Sequence, residues 1–260
     1  MGKKKVAIVG YTGSLGKALT KVIDYDYGFN TKNINLFDKE LYQKFPVDID
    51  TIIFLAADPK IYYYSTKPEE CFRNNYELIK NILKCNYRKL IFVSTVCVYK
   101  QLDNYSNNPE TGWNTESNFY GIAKLLAEKE LIEMARNYCI LRMSTPYSNN
   151  MSKGPLFDIL TYNQSFVDMD SRYSFIHVED ASLAIKYCFE NDLIGIYNLT
   201  DRKSTRLKDI FGWKKDIHCI GHSKIDYDSD NQLLRDSGWS QKYNVVEFVT
   251  KYKTKLVNSD

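Results

Sequence analysis

Tyr120 and Lys124 stand four residues apart at the head of the run SNFYGIAKLLAEKEL, residues 117–131. On a helix that spacing puts both side chains on one face. An ammonium beside a phenol favours the phenolate and lowers a pKa that starts at about 10. A tyrosine placed this way can exchange a proton near neutral pH. The chain has 21 tyrosines, however, so the spacing alone arises by chance and its meaning depends on what surrounds it. Upstream, the apolar run KLIFVST ends in two hydroxyls, Ser94 and Thr95. A second tempting cluster, HCIGH with His218, Cys219 and His222, is interrupted by a glycine and has no acidic neighbour in sequence. It reads as a surface loop, with no metal site.

The strongest local pattern lies at the N-terminus. VAIVGYTGSLGKAL places Gly10, Gly13 and Gly16 where an apolar strand gives way to a helix. The first glycine permits a tight turn, the second lets backbone approach a pyrophosphate, and the third lets helix and strand pack closely. Amides of the loop and of the first turn, Ser14 and Leu15 among them, then face the phosphates at the positive end of the helix. Asp38 closes NINLFD some way beyond, where an acid bonds the adenosine ribose. A carboxylate there favours NAD and repels the 2′-phosphate of NADP, which is left open because only KELYQKFPVDI separates Asp38 from the next strand.

These residues need elements to hold them. Apolar runs at 5–10, 33–38, 50–57, 89–95, 138–144 and 195–200 show no polar alternation, as expected of strands covered on both faces. Helical patterns at roughly 14–24, 70–85, 119–136 and 179–190 lie between them. The alternation predicts an α/β fold, a doubly wound Rossmann-type parallel sheet. Residues 147–171 and 201–260 are more polar and are assigned to a small substrate lobe; 1–146 and 172–200 form the dinucleotide-binding domain. Composition excludes other classes. The net charge is +3 with no basic block, which argues against a nucleic-acid binder. The short apolar run after MGKKK is no secretion signal, and no stretch reaches membrane-spanning length. Six scattered cysteines without C-x-x-C fit a reduced, cytoplasmic enzyme.

Taken in order, the motifs resemble an extended short-chain dehydrogenase/reductase of the nucleotide-sugar epimerase, dehydratase and reductase branch. GYTGSLG resembles its GxxGxxG and FLAA, with Leu55, Ala56 and Ala57, its cofactor-lining strand end. NYELIKNIL from Asn75 resembles its N-v-x-g-t-x-n-l-l helix, and FVSTVCVY its S-S/T-x-x-V-Y strand. YGIAK matches Y-x-x-x-K, LRMSTPY through Tyr147 resembles L-R-x-x-x-v-Y, and FIHVEDASLAI its F-I-h-V-x-D-x-a segment. The resemblance implies that Tyr120 exchanges a proton with a sugar hydroxyl or ketone while hydride passes to or from NAD. It implies that Thr95, with Ser94 as runner-up, positions the sugar oxygen, and that Lys124 holds the nicotinamide ribose. Tyr147 and Arg172 become candidate substrate contacts. Arg172 resembles an arginine on the nucleotide diphosphate but sits one residue out of register.

Relatives that dehydrate carry Asp-Glu after the catalytic hydroxyl, and decarboxylases carry Glu at the second position; here Val96 and Cys97 follow Thr95. Epimerase and 4-keto reductase remain, with NAD-dependent epimerase ranked first and a non-catalytic dinucleotide sensor as the other class. Tyr62, Tyr63 and Tyr64 follow a strand end, where one ring contacts ligand or all pack. His177 reads as structural. The resemblance further implies a homodimer paired through helices at 75–87 and 119–136.

Overall fold

VAIV, residues 6–9, contains no polar side chain and is buried along its length, as a strand between two helical layers must be. The computed structural model describes residues 4–99 and 118–257, without the side chains of Tyr62 and 253–257. The chain begins with β1 (Val6–Val9), α1 (Ser14–Leu19), β2 (Tyr27–Phe29), α2 (Leu41–Lys44) and β3 (Thr51–Phe54). Next, α3 (Ile61–Tyr64) and α4 (Pro68–Phe72) run through a π-helical turn, Arg73–Glu77, into α5 (Leu78–Ile82). A 3-10 turn, Val96–Val98, ends β4 (Lys89–Thr95), and α6 (Phe119–Met134) and β5 (Tyr138–Met143) follow. Then come β6 (Thr145–Tyr147), α7 (Pro155–Tyr162), β7 (Gln164–Ser165), β8 (Arg172–Tyr173), β9 (Phe175–His177) and α8 (Val178–Glu190). The described chain finishes with β10 (Gly195–Leu199), β11 (Thr205–Arg206), α9 (Leu207–Phe211), β12 (His218–Cys219), α10 (Gln232–Asp236) and α11 (Val245–Val257).

Six strands pair in the order β10-β5-β4-β3-β1-β2, every pair parallel. Side chains alternate between the two faces. Ile8, Ile53, Ile91 and Leu141 pack against Leu19 of α1 and Ala181, Ala184 and Ile185 of α8. Val9, Ile52, Phe92 and Ile140 pack on the other side against Leu41, Ile79, Ile82, Ala127 and Leu131. Each valine, leucine, isoleucine or phenylalanine among them contributes about 1.5–3 kcal/mol by leaving water. The sheet is therefore wound on both faces, as the apolar runs predict.

The second strand departs from expectation. It is Tyr27–Phe29, and residues 33–38 form turns. The cause is local: Asn30 Oδ1 accepts from the Lys32 amide, Asn33 Oδ1 from that of Asn30, Asn35 Oδ1 from that of Phe37, and Asp38 Oδ1 from that of Glu40. These side chains offer the backbone an alternative to a ladder, and they win over the β-propensity of Ile34, Leu36 and Phe37.

A separate apolar core gathers Tyr147, Leu156, Ile159, Phe175, Leu207, Phe211, Val245 and Val249 into a lobe. Its membership differs from the expected division in two places. Tyr173 and Phe175, assigned to the dinucleotide domain, pack inside the lobe core. Leu234 and Trp239, assigned to the lobe, pack instead with Ile185 and Leu199 beside the main sheet. HCIGH is extended and not helical: His218 and Cys219 form β12 against β7, and Gly221 is needed because a Cβ would sit 2.0 Å from Phe166 O. Extended backbone sends His218 and His222 down a strand and its loop, where a shared i,i+4 face does not exist. Among the described residues no group of histidine, cysteine and acid has metal-holding geometry, and no helix is long and apolar enough to cross a membrane.

Candidate active site

Parallel pairing brings the C-terminal ends of β1, β3 and β4 side by side on one edge of the sheet. The glycine loop leaves β1, Leu55–Ala57 leaves β3 and Thr95 ends β4, so segments far apart in sequence share that edge. Open α/β sheets bind ligands there.

The loop has the shape of a dinucleotide cradle. Gly10 has φ +92°, and a Cβ on it would lie 3.0 Å from the Ala56 amide nitrogen. A Cβ on Gly16 would lie 2.4 Å from Gly10 O and 2.5 Å from Tyr11 O, so no side chain fits. Gly13 meets nothing closer than 3.4 Å and lies exposed with Thr12 and Ser14. The helical ladder starts with Lys17 N–H donating to Gly13 O at 2.8 Å, which leaves the Ser14, Leu15 and Gly16 amides outside it. Leu55 N–H donates to Val9 O at 2.9 Å and ties the β3 end to this loop. Asn75, buried in the π-helical turn, holds the same segment: Oδ1 accepts from Asp58 N–H at 2.8 Å and Nδ2 donates to Asp58 O at 3.1 Å. It supports the cofactor-lining strand end from behind. These residues fit a dinucleotide.

Asp38 is not part of this edge. It lies in the turns beyond β2, its carboxylate paired with Lys44 Nζ at 2.5 Å and capping Glu40; the lysine and then the Glu40 amide hold its pKa low. The residue directly after β2 is Asn30, so the strand-end acid that favours NAD over NADP is absent from that place.

Thr95 is buried, and its Oγ1 accepts from Cys97 N–H at 3.2 Å. Tyr120 is buried at the start of α6, in a cluster with Tyr64, Cys71, Ala123 and Cys97. Its phenol stands well above the usual range, through burial first and then through the nearby Cys97, Cys71 and Asp58. Lys124 is 1% exposed. Its Nζ donates to Val93 O at 2.8 Å and lies 4.0 Å from the Phe92 ring centre, and burial lowers its pKa to about 7 against the pull of Glu128. This reverses the expectation that Lys124 lowers the Tyr120 pKa. Desolvation outweighs the pairing, because both groups lie in an apolar wall and the ammonium is turned towards β4.

Ser94 is not a substrate contact. Successive strand residues face opposite ways, and the Ser94 hydroxyl donates to the buried Glu128 carboxylate. Arg142 also meets Glu128, from Nη2 at 2.7 Å and Nε at 3.2 Å, and lies against the Tyr99 ring. Tyr120, Lys124 and Glu128 therefore follow one another at i, i+4 and i+8 along the buried face of α6. Tyr147 is 1% exposed in the lobe core, its ring against Phe175, His177 and Phe248, and its hydroxyl has no hydrogen-bond partner among the described residues. A substrate cannot reach it. Arg172 spends its guanidinium on Asp226 at 2.6 Å and Asp228 at 2.8 Å. Of the tyrosine run, Tyr64 is fully buried and donates to Asp58 at 2.9 Å, Tyr63 is exposed and donates to Glu70, and the Tyr62 side chain lies outside the described residues. His177 is structural: its Nδ1 accepts from Glu179 N–H at the start of α8, and Tyr243 stacks on it at 3.8 Å.

Two contributors are not among the residues expected from the motifs. Glu128 was findable, four residues after Lys124 on the same helical face. Tyr227 was not: it acts on the Cys97 thiol, so a residue 130 positions downstream reaches the neighbourhood of the site two beyond Thr95.

No curated protein matches the chain. Among solved structures it is similar to dTDP-4-dehydrorhamnose reductase from Bacillus anthracis in complex with NADP, at 19% identity over 98% of this chain and 100% of that one, TM-score 0.77. UDP-glucose 4-epimerase from Thermotoga maritima, with UDP-glucose, is 20% identical over 97% and 99%, TM-score 0.76. UDP-N-acetylglucosamine 4-epimerase from Methanobrevibacter ruminantium is 19% identical over 98% and 100%, TM-score 0.71. These likenesses establish the fold. Residues 6–200, which carry the glycine loop, Thr95, Tyr120 and Lys124, match the family model as well, and the chain belongs to the NAD dependent epimerase/dehydratase family.

Proposed function

We propose that this protein is an NAD(P)-dependent enzyme that moves hydride at a carbon of a nucleotide sugar, in the first reading as a 4-epimerase. The observation that carries the proposal is that Thr95 ends β4 on the sheet edge that also bears the glycine loop, while Cys97, two residues on, packs with Tyr120 one helical turn before the buried Lys124. Gly10, Gly13, Ser14, Leu15, Gly16 and Leu55–Ala57 would hold the dinucleotide, which when bound accepts and returns hydride. Thr95 Oγ1 orients the reacting sugar oxygen, and Tyr120 holds the proton that the oxygen gains or loses. Val96 and Cys97 offer no carboxyl pair for eliminating water, so dehydration is outside the repertoire.

A second reading, 4-keto reductase, is favoured by two observations. The strand-end acid that argued for tightly held NAD is missing, and the Tyr120 phenol is held protonated, the form that donates to a ketone. The structural relatives include both reaction types. Leu126 and Met134, exposed on α6, support pairing of two copies through this helix and α5. Six free cysteines support a reducing compartment such as the cytoplasm.

The test is to release and identify any cofactor from purified protein, then assay a panel of nucleotide sugars. Turnover without added cofactor identifies the epimerase; stoichiometric loss of NADH or NADPH with a 4-keto sugar nucleotide identifies the reductase. Tyr120→Phe should abolish either activity, and full activity in that variant would sink the mechanism.

A further inference from the structure

Glu128 lies on the buried face of α6, one turn after Lys124 and two after Tyr120, and is 1% exposed. Parallel pairing of β4 with β5 sets Ser94 beside Arg142, and both reach this carboxylate. The Ser94 hydroxyl donates to Oε1, Arg142 Nη2 donates to Oε2 at 2.7 Å, and Arg142 Nε lies 3.2 Å from each oxygen. Arg142 rests in turn against the Tyr99 ring, whose hydroxyl donates to Asn198 of β10 at 2.7 Å.

An ion pair this deep adds little stability on its own. Desolvation of the two charges offsets most of their attraction, and an apolar pair of similar size fills the space as well. Its placement is more informative. Ser94 immediately precedes Thr95, so one carboxylate ties the strand that carries the hydroxyl to the helix that carries Tyr120 and Lys124. It also bears on the charge of Lys124. That side chain is buried against Phe92 and Val93 O, where burial favours the neutral amine, and Glu128 is the charged group that pulls its pKa back up. The groups around Tyr120 offer no such help. Cys97, Cys71 and Asp58 all push the phenol away from phenolate.

We propose that Glu128 is a positioning residue of the hydride-transfer site: gripped by Arg142 and Ser94, it favours the ammonium form of Lys124 and fixes α6 against the β4 end that carries Thr95. A charged Lys124 stabilises negative charge on the Tyr120 oxygen, whereas a neutral amine offers only a dipole. Arg142 and Ser94 have the complementary task of supplying the donors that a carboxylate in an apolar wall requires. The service of these groups to a reaction rests on the nucleotide-sugar reading above; the action of Glu128 on Lys124 does not.

The experiment is an NMR pH titration of the whole protein carrying lysine isotope-labelled at Cε, with the Lys124 resonance identified by its loss in Lys124→Met. The parent is compared first with Glu128→Gln/Arg142→Met, which removes both charges together and leaves Ser94 an acceptor. Glu128→Asp keeps the carboxylate, and Ser94→Ala removes a hydroxyl and no charge. Thermal melting by circular dichroism checks each fold, and Glu128→Met/Arg142→Met replaces the first double variant if that one does not fold. The expected result is a Lys124 midpoint about one pH unit lower in the double variant, within about half a unit of the parent in Glu128→Asp, and unmoved in Ser94→Ala. An equal midpoint in parent and double variant overturns the proposal. So does a shift as large in Ser94→Ala, because packing and not charge would then govern Lys124. With a turned-over substrate in hand, the basic limb of the kcat–pH profile should move down by the same amount in the double variant with KM kept; a loss of kcat that is uniform across pH makes Glu128 merely structural and also overturns the proposal. Failure to turn over any nucleotide sugar removes the functional reading and leaves the titration to decide this one.

Discussion

Replacing Lys124 by Met should stabilise the fold while abolishing activity, and the gain should depend on pH in a calculable way. The ammonium is 1% exposed and its pKa falls from 10.5 to about 7. At about 1.4 kcal/mol per pH unit, the cost of burying the charged form reaches about 5 kcal/mol, an order-of-magnitude figure. Below pH 7 the lysine is charged in both folded and unfolded chains, and the whole cost is felt. Between pH 7 and 10.5 the unfolded chain keeps a proton that the folded chain has released, so stability rises with pH. Above 10.5 the cost is gone. Methionine keeps the stem but loses the bond to Val93 O, worth about 1 kcal/mol. Lys124→Met should therefore exceed the parent by about 4 kcal/mol at pH 6 and by about 1 kcal/mol at pH 9. Urea unfolding followed by far-UV circular dichroism at the two pH values reads the gap directly. A gap that stays constant with pH, or a variant less stable at pH 6, would show that the ammonium is solvated and that Tyr120 has a charged neighbour after all.

The other two predictions concern the frame. Glu128→Gln leaves Arg142 buried without its countercharge, with Nη1 already lacking a hydrogen-bond partner among the described residues, and should cost about 3–5 kcal/mol in urea unfolding; replacing both residues with Met should recover much of that loss. Gly16→Ala should destabilise the chain severely, because its Cβ would meet backbone at 2.4 Å, whereas Gly13→Ala should leave the melting temperature within a few degrees and weaken only NAD(P)H binding, read by fluorescence titration.

What the sequence disclosed and what it hid follow the range of the forces involved. The glycine loop and the Tyr120–Lys124 pair were legible because each depends on neighbours within one strand-to-helix turn or one helical turn. The sheet was legible because fully apolar runs at 6–9, 52–54 and 90–93 have no other place to go. β2 was misplaced because INLF carries apolar residues while Asn30, Asn33, Asn35 and Asp38 carry the local hydrogen bonds, and apolar pattern alone does not weigh one against the other. Arg172 looked available because its partners lie 54 and 56 residues downstream. Tyr147 looked like a site residue because its motif position was visible and its enclosure by Phe175 and Phe248 was not. Lys124 is the sharpest case. Helical spacing correctly put it on the face of Tyr120, but spacing says nothing about dielectric. With Phe92 and Val93 O as its surroundings, the ammonium loses more by leaving water than a phenolate neighbour returns. The charge that proton transfer needs is then not a resting property of the pair: bringing it about requires a bound ligand to alter the electrostatics around Tyr120, which is why the pH slope of Lys124→Met should be measured with and without NAD(P)H.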